Sequence, residues 1–351
     1  MKKILCPIKE SLIDGPGHQM YGINCFEKVS NGEIIPIVYP FKQSTYSKWE
    51  ILGLNLQIAW KALTTQHDAF YYGIDPQNLV LLGVFKRLGM YRKPMFAWKY
   101  TVIKHTNSNL KDTILKLYYN AFNKIFMITE NHIPETYAEG IVKNGKLEYM
   151  TWGEDLDYIN KLKVEKNPVF TFISTGKAHR DYETTLRAFA KVKNARLKLY
   201  VSPSWGGQTV DIEKLEKESS GNVELYIVKQ HLTYRDIYID ILHSHCALCI
   251  CKPVDFGVGY TQVLDSLACG IPCILTWNKD NPIDLDKEGV GITVPPLDIN
   301  SLSNAMQKMV EESDAIAEMS KKGRKLIEEK YNIEHTTQKV LEIITSELNK
   351  K

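Results

Sequence analysis

The stretch Cys246-Ala-Leu-Cys-Ile-Cys251, followed by Asp255-Phe-Gly-Val-Gly-Tyr-Thr-Gln-Val-Leu-Asp265 and Leu267-Ala-Cys-Gly-Ile-Pro-Cys-Ile274, decides the fold of this chain. The opening residues are a short apolar run, the pattern of a strand buried on both faces. Gly257 and Gly259 permit a tight turn with exposed N–H groups. A helical pattern follows, with Thr261 at its start as a cap or a phosphate donor. Gly270 serves as its C-cap, and Pro272 leads into the next apolar run. Strand, glycine loop, helix and strand at this spacing form one βαβ unit, whose two strands run parallel.

The same alternation extends outward in both directions. In the C-terminal half it predicts strands at Val169–Ser174, Leu197–Val201, Val223–Val228, Ala247–Cys251 and Cys273–Thr276. Helices are expected at Tyr182–Val192, Val210–Ser219, Arg235–His243, Thr261–Cys269 and Asn300–Glu312, and two more after Ala315, broken around Tyr331-Asn332. In the N-terminal half the strands are Lys3–Ile8, Glu33–Tyr39, Ala69–Ile74, Met95–Ile103 and Lys124–Thr129. The apolar positions of Trp49–Leu63 and Leu110–Ala121 recur at helical spacing. A lysine-rich segment from Asn160 to Asn167 separates the halves and reads as a linker. Two doubly wound parallel sheets with a cleft between them follow.

Composition excludes several classes. The chain has 351 residues, 44% hydrophobic and 24% charged, and a formal net charge of +3. That balance is globular and gives no argument for nucleic acid. The apolar run Leu79–Phe85 is far shorter than the ~20 residues of a spanning helix. At the N-terminus Pro7 and Lys9 interrupt what would be a leader, so a first strand is expected there and a cytoplasmic location by default. Seven cysteines without framework spacing suit a reducing compartment. His243, His245, Cys246, Cys249 and Cys251 lack a second Cys-x-x-Cys pair to close a zinc site, so the buried-strand reading is preferred.

Ligands of such sheets lie beyond the carboxyl ends of the strands. One such loop is Ser174-Thr-Gly-Lys-Ala-His-Arg-Asp-Tyr182. Gly176 would let N–H groups approach an anion at a helix N-terminus, with Lys177 and Arg180 as cations for a diphosphate. It reads equally as a plain strand-to-helix turn with Asp181 as cap. In the second loop Asp265 falls one helical turn in, where a carboxylate would accept two ribose hydroxyls.

With these residues in place, Gly259–Ile274 resembles the signature helix of family 4 (group 1) glycosyltransferases of the GT-B fold. Thr175–Tyr182, with Leu186 and Ala188, resembles that family's donor-phosphate loop. Trp152–Tyr158 is similar to the motif that closes its N-terminal domain. Gly289–Ile292 with Pro295 and Asp298, and Glu329–Asn332, resemble its later segments. The resemblance implies two Rossmann-like domains: 1–155 on the acceptor side, 156–330 binding the nucleotide sugar, and a C-terminal helix, 331–351, crossing back to the first. It implies transfer of a sugar with retention, from a nucleotide-sugar donor to a hydroxyl of a glycan, glycolipid or lipid-linked acceptor. No cofactor and no metal are expected. Asp265 would hold ribose, and Gly176, Lys177, Arg180, Gly259, Tyr260 and Thr261 would surround the diphosphate. Where the family has an acid eight residues before the ribose-binding one, this chain has Gly257. Asp255, two residues earlier, is the candidate substitute for the donor-sugar contact.

In the N-terminal half, Asp14-Gly15-Pro16-Gly17-His18 resembles the family's glycine loop on the acceptor side and reads equally as a turn. His105, at the end of the Met95–Ile103 strand, is a candidate for contact with the transferred sugar. The triplets Asp155–Asp157 and Asp284–Asp286, the latter next to Pro282, imitate a metal-binding Asp-x-Asp but end no early strand of a sheet. No carboxylate pair suggests a glycosidase. Gly15-Pro-Gly17 lacks the third glycine of a dinucleotide fingerprint, since position 20 is Met. A nucleotide-sugar epimerase and a donor-binding protein without turnover remain as alternatives. Phe85-Lys-Arg-Leu-Gly-Met-Tyr-Arg-Lys93 mixes apolar and basic residues. It reads as an ordinary sheet-covering helix or as a peripheral contact with an anionic membrane.

Overall fold

The computed structural model describes residues 1–13, 15–43, 47–73, 76–205, 208–228, 233–281 and 283–350. Asp14, Ile74 and Pro282 lie outside the described residues. The chain forms two compact units, Met1–Gly153 with Ile333–Lys351, and Glu154–Asn332.

The first unit holds β1 (Lys2–Lys9), α1 (Phe26–Val29), β2 (Ile34–Phe41), α2 (Lys48–Thr64), β3 (Ala69–Tyr72), α3 (Val80–Arg87), β4 (Met95–Lys99), α4 (Asn109–Tyr119), β5 (Lys124–Met127), α5 (His132–Ala138) and β6 (Leu147–Tyr149). Its strands form one parallel sheet in the order β2-β1-β3-β4-β5-β6. The pleat sends alternate side chains to opposite faces, and both faces are covered. Leu5, Phe70, Tyr72 and Ile125 pack against Leu54 and Ile58 of α2 and Tyr118 of α4. Ile4, Cys6, Tyr71 and Phe96 face the other way, toward Phe26 and toward Val340, Leu341 and Ile344 of the last helix.

The second unit holds α6 (Leu156–Asn160), β7 (Phe170–Ser174), α7 (Tyr182–Phe189), β8 (Ala195–Val201), a small hairpin β9 (Ser204–Trp205) and β10 (Gln208–Thr209), α8 (Ile212–Glu218), β11 (Val223–Ile227), α9 (Tyr234–His243), β12 (Cys246–Cys249), α10 (Tyr260–Ala268), β13 (Cys273–Thr276), α11 (Leu285–Glu288), β14 (Gly291–Val294), α12 (Ile299–Glu311) and α13 (Ser313–Lys330). The sheet runs β11-β8-β7-β12-β13-β14, again all parallel. The final helix, α14 (Ile333–Asn349), belongs to the first unit.

Capping chemistry sets where the helices begin. Ser47, Ser108, Asp181, Thr233 and Asp298 each accept an N–H from the first turn of the helix they precede. Both Asp-Leu-Asp triplets are explained the same way, since Asp155 caps α6 and Asp284 caps α11. Besides the two-residue strands of the β9–β10 hairpin, two sheet strands escaped the sequence reading. β6 is only Leu-Glu-Tyr, and β14 is a half-buried edge strand, so neither shows a continuous apolar run. A correction concerns β4, which stops at Lys99 rather than continuing to Ile103. His105 therefore lies on the segment leading into α4, not at a strand's end.

Candidate functional site

The strand order of each sheet reverses beside its first strand: between β1 and β3 in one, between β7 and β12 in the other. Loops leaving such neighbours diverge and open a site. In the second unit these are the loops after β7 and after β12, and they meet. Asp181 N–H donates to Ile250 O at 3.0 Å and Lys252 N–H to His179 O at 2.8 Å, while Arg180 and Cys251 form an antiparallel bridge.

Arg180 is turned inward at this junction and is only 6% exposed. Its Nη1 donates to Cys251 Sγ at 2.9 Å and Ala178 O at 3.2 Å, and its Nη2 to Gln262 Oε1 at 2.8 Å. Its buried Nε meets no acceptor among the described residues. Gln262 is anchored in turn, its Nε2 donating to Leu248 O at 3.0 Å. The Cys249 thiol, hydrogen-bonded to Cys251, pulls Cys251 down to about 6, and the guanidinium reinforces the shift. The lowered value favours the thiolate form of Cys251 beside the buried guanidinium. Cys249 moves the other way, its thiol held protonated by the same bond and by burial.

The two glycines make this packing possible. A Cβ on Gly176 would lie 1.5 Å from Arg180 Nη2. Gly259 precedes α10 at φ +82°, and a Cβ there would lie 2.1 Å from Cys249 Sγ. Tyr260 is buried and Thr261 half-buried at the start of α10. Lys177, by contrast, is exposed. It lines a cavity of about 170 Å³ with Arg180, Tyr182, Ser202, Lys214 and Lys252.

Asp265 sits within α10 and is 4% exposed. Tyr238 Oη on α9 lies 2.8 Å from Asp265 Oδ1 and 3.1 Å from Glu154 Oε2. Burial raises Asp265 to about 7 and Glu154 further above the usual carboxylate range, the charge of Asp265 adding to the second shift. The carboxylate expected at a ribose is therefore half of a buried acid pair around one tyrosine hydroxyl. The sequence reading found no such pair because Glu154, Tyr238 and Asp265 stand on separate elements.

Gly257 has no room for an acid, since a Cβ would lie 2.9 Å from Asp280 O. Asp255 is exposed, and its loop is pinned on both sides by Asn278 Nδ2, which donates to Val254 O and Phe256 O at 2.9 and 3.1 Å. Asp255 shares a pocket of about 250 Å³ with Trp277 and Lys252. The histidines of the Cys-rich segment have structural partners: His245 Nδ1 accepts from Thr171 N–H at 3.1 Å, and His243 Nδ1 lies 2.7 Å from Glu165 O.

In the first unit Gly15 and Gly17 lie on the loop after β1, at that sheet's own switch point. The loop runs on to Tyr21, whose ring fills the space a side chain at Gly73 would need. His18 is buried and kept neutral, its imidazole lowered by burial to about 3. His105 Nδ1 lies 2.8 Å from Asp112 Oδ2. Asp112 is held at about 2 by the Thr106 N–H first and by His105 next.

Residues 156–326 match the family described as glycosyl transferases group 1. The second unit belongs to that family. No curated protein matches. Among solved structures, Anabaena HepE in complex with UDP-glucose superposes with a TM-score of 0.68 at 12% identity, covering 99% of this chain and 100% of that one. Sucrose-phosphate synthase from Thermosynechococcus elongatus gives 0.73 at 12% identity, with 100% of both chains covered. A glycosyltransferase from Rickettsia africae gives 0.66 at 12% identity, covering 100% and 99%. These likenesses show the GT-B fold across the whole length of the chain.

Proposed function

We propose that this glycosyltransferase takes a nucleoside diphosphate sugar in its second unit and passes the sugar to an acceptor hydroxyl with retention of configuration. The acceptor class we infer is a glycan, a glycolipid or a lipid-linked saccharide. The observation that carries the reading is the junction of the β7 and β12 loops, where Gly176 and Gly259 admit backbone and guanidinium into one small space. An N–H-rich turn, the buried Arg180 and the exposed Lys177 and Lys252 suit a diphosphate. During transfer, charge builds on the departing phosphate. Fixed donors at that spot favour the transition state more than the ground state. A buried Arg180 acts by holding the turn and its electrostatic field in place, while the exposed Lys177 contacts a phosphate oxygen. UDP-glucose, found in one relative of the same fold, is the first donor to try. A cytoplasmic setting, where thiols stay reduced, suits seven cysteines none of which is in a disulfide.

The test is a panel of nucleoside diphosphate sugars read first by thermal stabilisation and then by nucleotide release with an acceptor present. A donor at ~100 times its dissociation constant adds ~2.7 kcal/mol. Stabilisation by one donor together with an α-linked product from an α-donor is the expected outcome. An inverted product removes the retaining assignment. No response to any sugar nucleotide removes the donor-site reading.

A further inference from the structure

Helix α2 is apolar on both sides. Leu54, Ile58 and Ala62 point into the sheet, as a covering helix requires. The opposite side carries Trp49, Leu52, Leu56, Trp60 and Leu63, and all five are exposed, Trp49 at 83% and Trp60 at 70%. On this outward face no charge interrupts the run between Glu50 and Lys61. Helix α3 packs between α2 and α4 and extends the surface. Val84, Leu88 and Met90 are exposed at its C-terminal end. Leu110, Ile114 and Leu117 continue it along α4 at helical spacing, Leu110 at 72% exposure. Single exposed apolar residues are ordinary, but a contiguous face over three adjacent helices marks a contact surface.

The charges around this face select its occupant. Lys48, Arg87, Arg92, Lys111 and Lys116 are exposed beside it, whereas the acids of the three helices, Glu50 and Asp112, are half-buried and buried. A second copy of the chain meeting this face in an isologous dimer would set cations against cations. An anionic lipid surface satisfies both features at once, with the basic side chains at the headgroups and the indoles and leucines in the interfacial layer. We infer that the outer face of α2, α3 and α4 lies on an anionic bilayer, making the protein a peripheral membrane protein that binds through its first unit. The surface widens the Phe85–Lys93 segment singled out in the sequence to three helices, of which α2 carries the two tryptophans. It is independent of the donor-site reading.

The experiment is cosedimentation of the full chain with vesicles of phosphatidylcholine alone or mixed with phosphatidylglycerol. The wild type should partition onto the anionic vesicles about tenfold more strongly than onto the neutral ones and lose binding as salt rises. The double variant Trp49→Ser/Trp60→Ser should lose about tenfold in partitioning. Its thermal unfolding should match the wild type, because both side chains are exposed. Lys111→Glu/Lys116→Glu should weaken binding and flatten the salt dependence. Anionic binding unchanged in the tryptophan variant overturns the inference, as does absence of wild-type binding at low salt. Self-association of the wild type that the tryptophan variant abolishes, without vesicle binding, assigns the face to a second copy and also overturns it.

Discussion

Arg180 Nη1 and Cys251 Sγ lie 2.9 Å apart, joining the first loop of the second unit to the loop that follows its central strand. The pair is buried, so each charge depends on the other for its place in the interior. Arg180→Ala should cost ~3–5 kcal/mol in denaturant unfolding, the penalty for stranding a buried partner charge. Cys251→Ser should cost less, since a hydroxyl still accepts from the guanidinium. Equal losses in the two variants would show that the thiolate carries the junction, not the arginine.

The same pair has a pH signature. Cys251 is depressed to about 6 in the folded chain, against ~8.5 for an ordinary thiol. Between these values the unfolded chain holds the extra proton, so stability rises with pH. The contribution is complete above the unfolded value and is lost as pH falls through about 6. Thiolate ultraviolet absorbance should titrate near that lower pH, and Arg180→Ala should move the midpoint upward. A wild-type midpoint at the ordinary thiol value refutes the ion pair.

Asp265 and Glu154 bend the profile in the opposite sense. Their carboxyls are raised by burial, Asp265 to about 7. From the ordinary range near ~4 up to that pH the folded state holds more protons than the unfolded, so stability falls as pH rises. Glu154→Gln removes one titrating member while keeping a hydrogen-bonding amide near Tyr238. It should flatten this falling limb and raise the melting temperature at alkaline pH relative to the wild type. A pH–stability curve of the variant that overlays the wild type would refute the assignment.

Glycine substitutions test the close approaches. Gly270→Ala, at φ +68° but with open space around it, should cost only the ~1–2 kcal/mol of a left-handed residue. Gly259→Ala, at φ +82° with Cys249 Sγ in the way, should cost clearly more. Gly176→Ala has no positive φ to contend with but must displace the Arg180 guanidinium. Urea unfolding should rank Gly259→Ala as the most damaging of the three. It should also show whether Gly176→Ala approaches the cost of Arg180→Ala.

Lys177 offers a cleaner test of donor binding than Arg180, because it is exposed. Lys177→Ala should leave unfolding of the free protein unchanged within ~0.5 kcal/mol. It should raise the dissociation constant for UDP by about tenfold, the loss of one charge-assisted phosphate contact. Calorimetric titration with UDP checks this. An unchanged affinity places the phosphates away from the 170 Å³ cavity that Lys177 lines.

The sequence by itself determined what depends on near neighbours in the chain. Apolar runs such as Cys246–Cys249 and Cys273–Thr276 became central parallel strands, and Gly259 and Gly270 marked both ends of α10, because periodicity and backbone freedom are local properties. Asp181 was legible as a cap for the same reason. Tertiary structure alone decided which way the site residues face. Nothing near Arg180 in sequence says that Gln262 and Cys251 will take its guanidinium inward, and nothing near Asp265 points to Tyr238 and Glu154. Those partners arrive through the sheet order β11-β8-β7-β12-β13-β14, which sets loops distant in the chain side by side. The outward side of α2 was hidden likewise. Helical spacing showed that Trp49 and Trp60 belong to an apolar helix, but only the packed sheet, already filled by Leu54 and Ile58, leaves the two indoles at the surface.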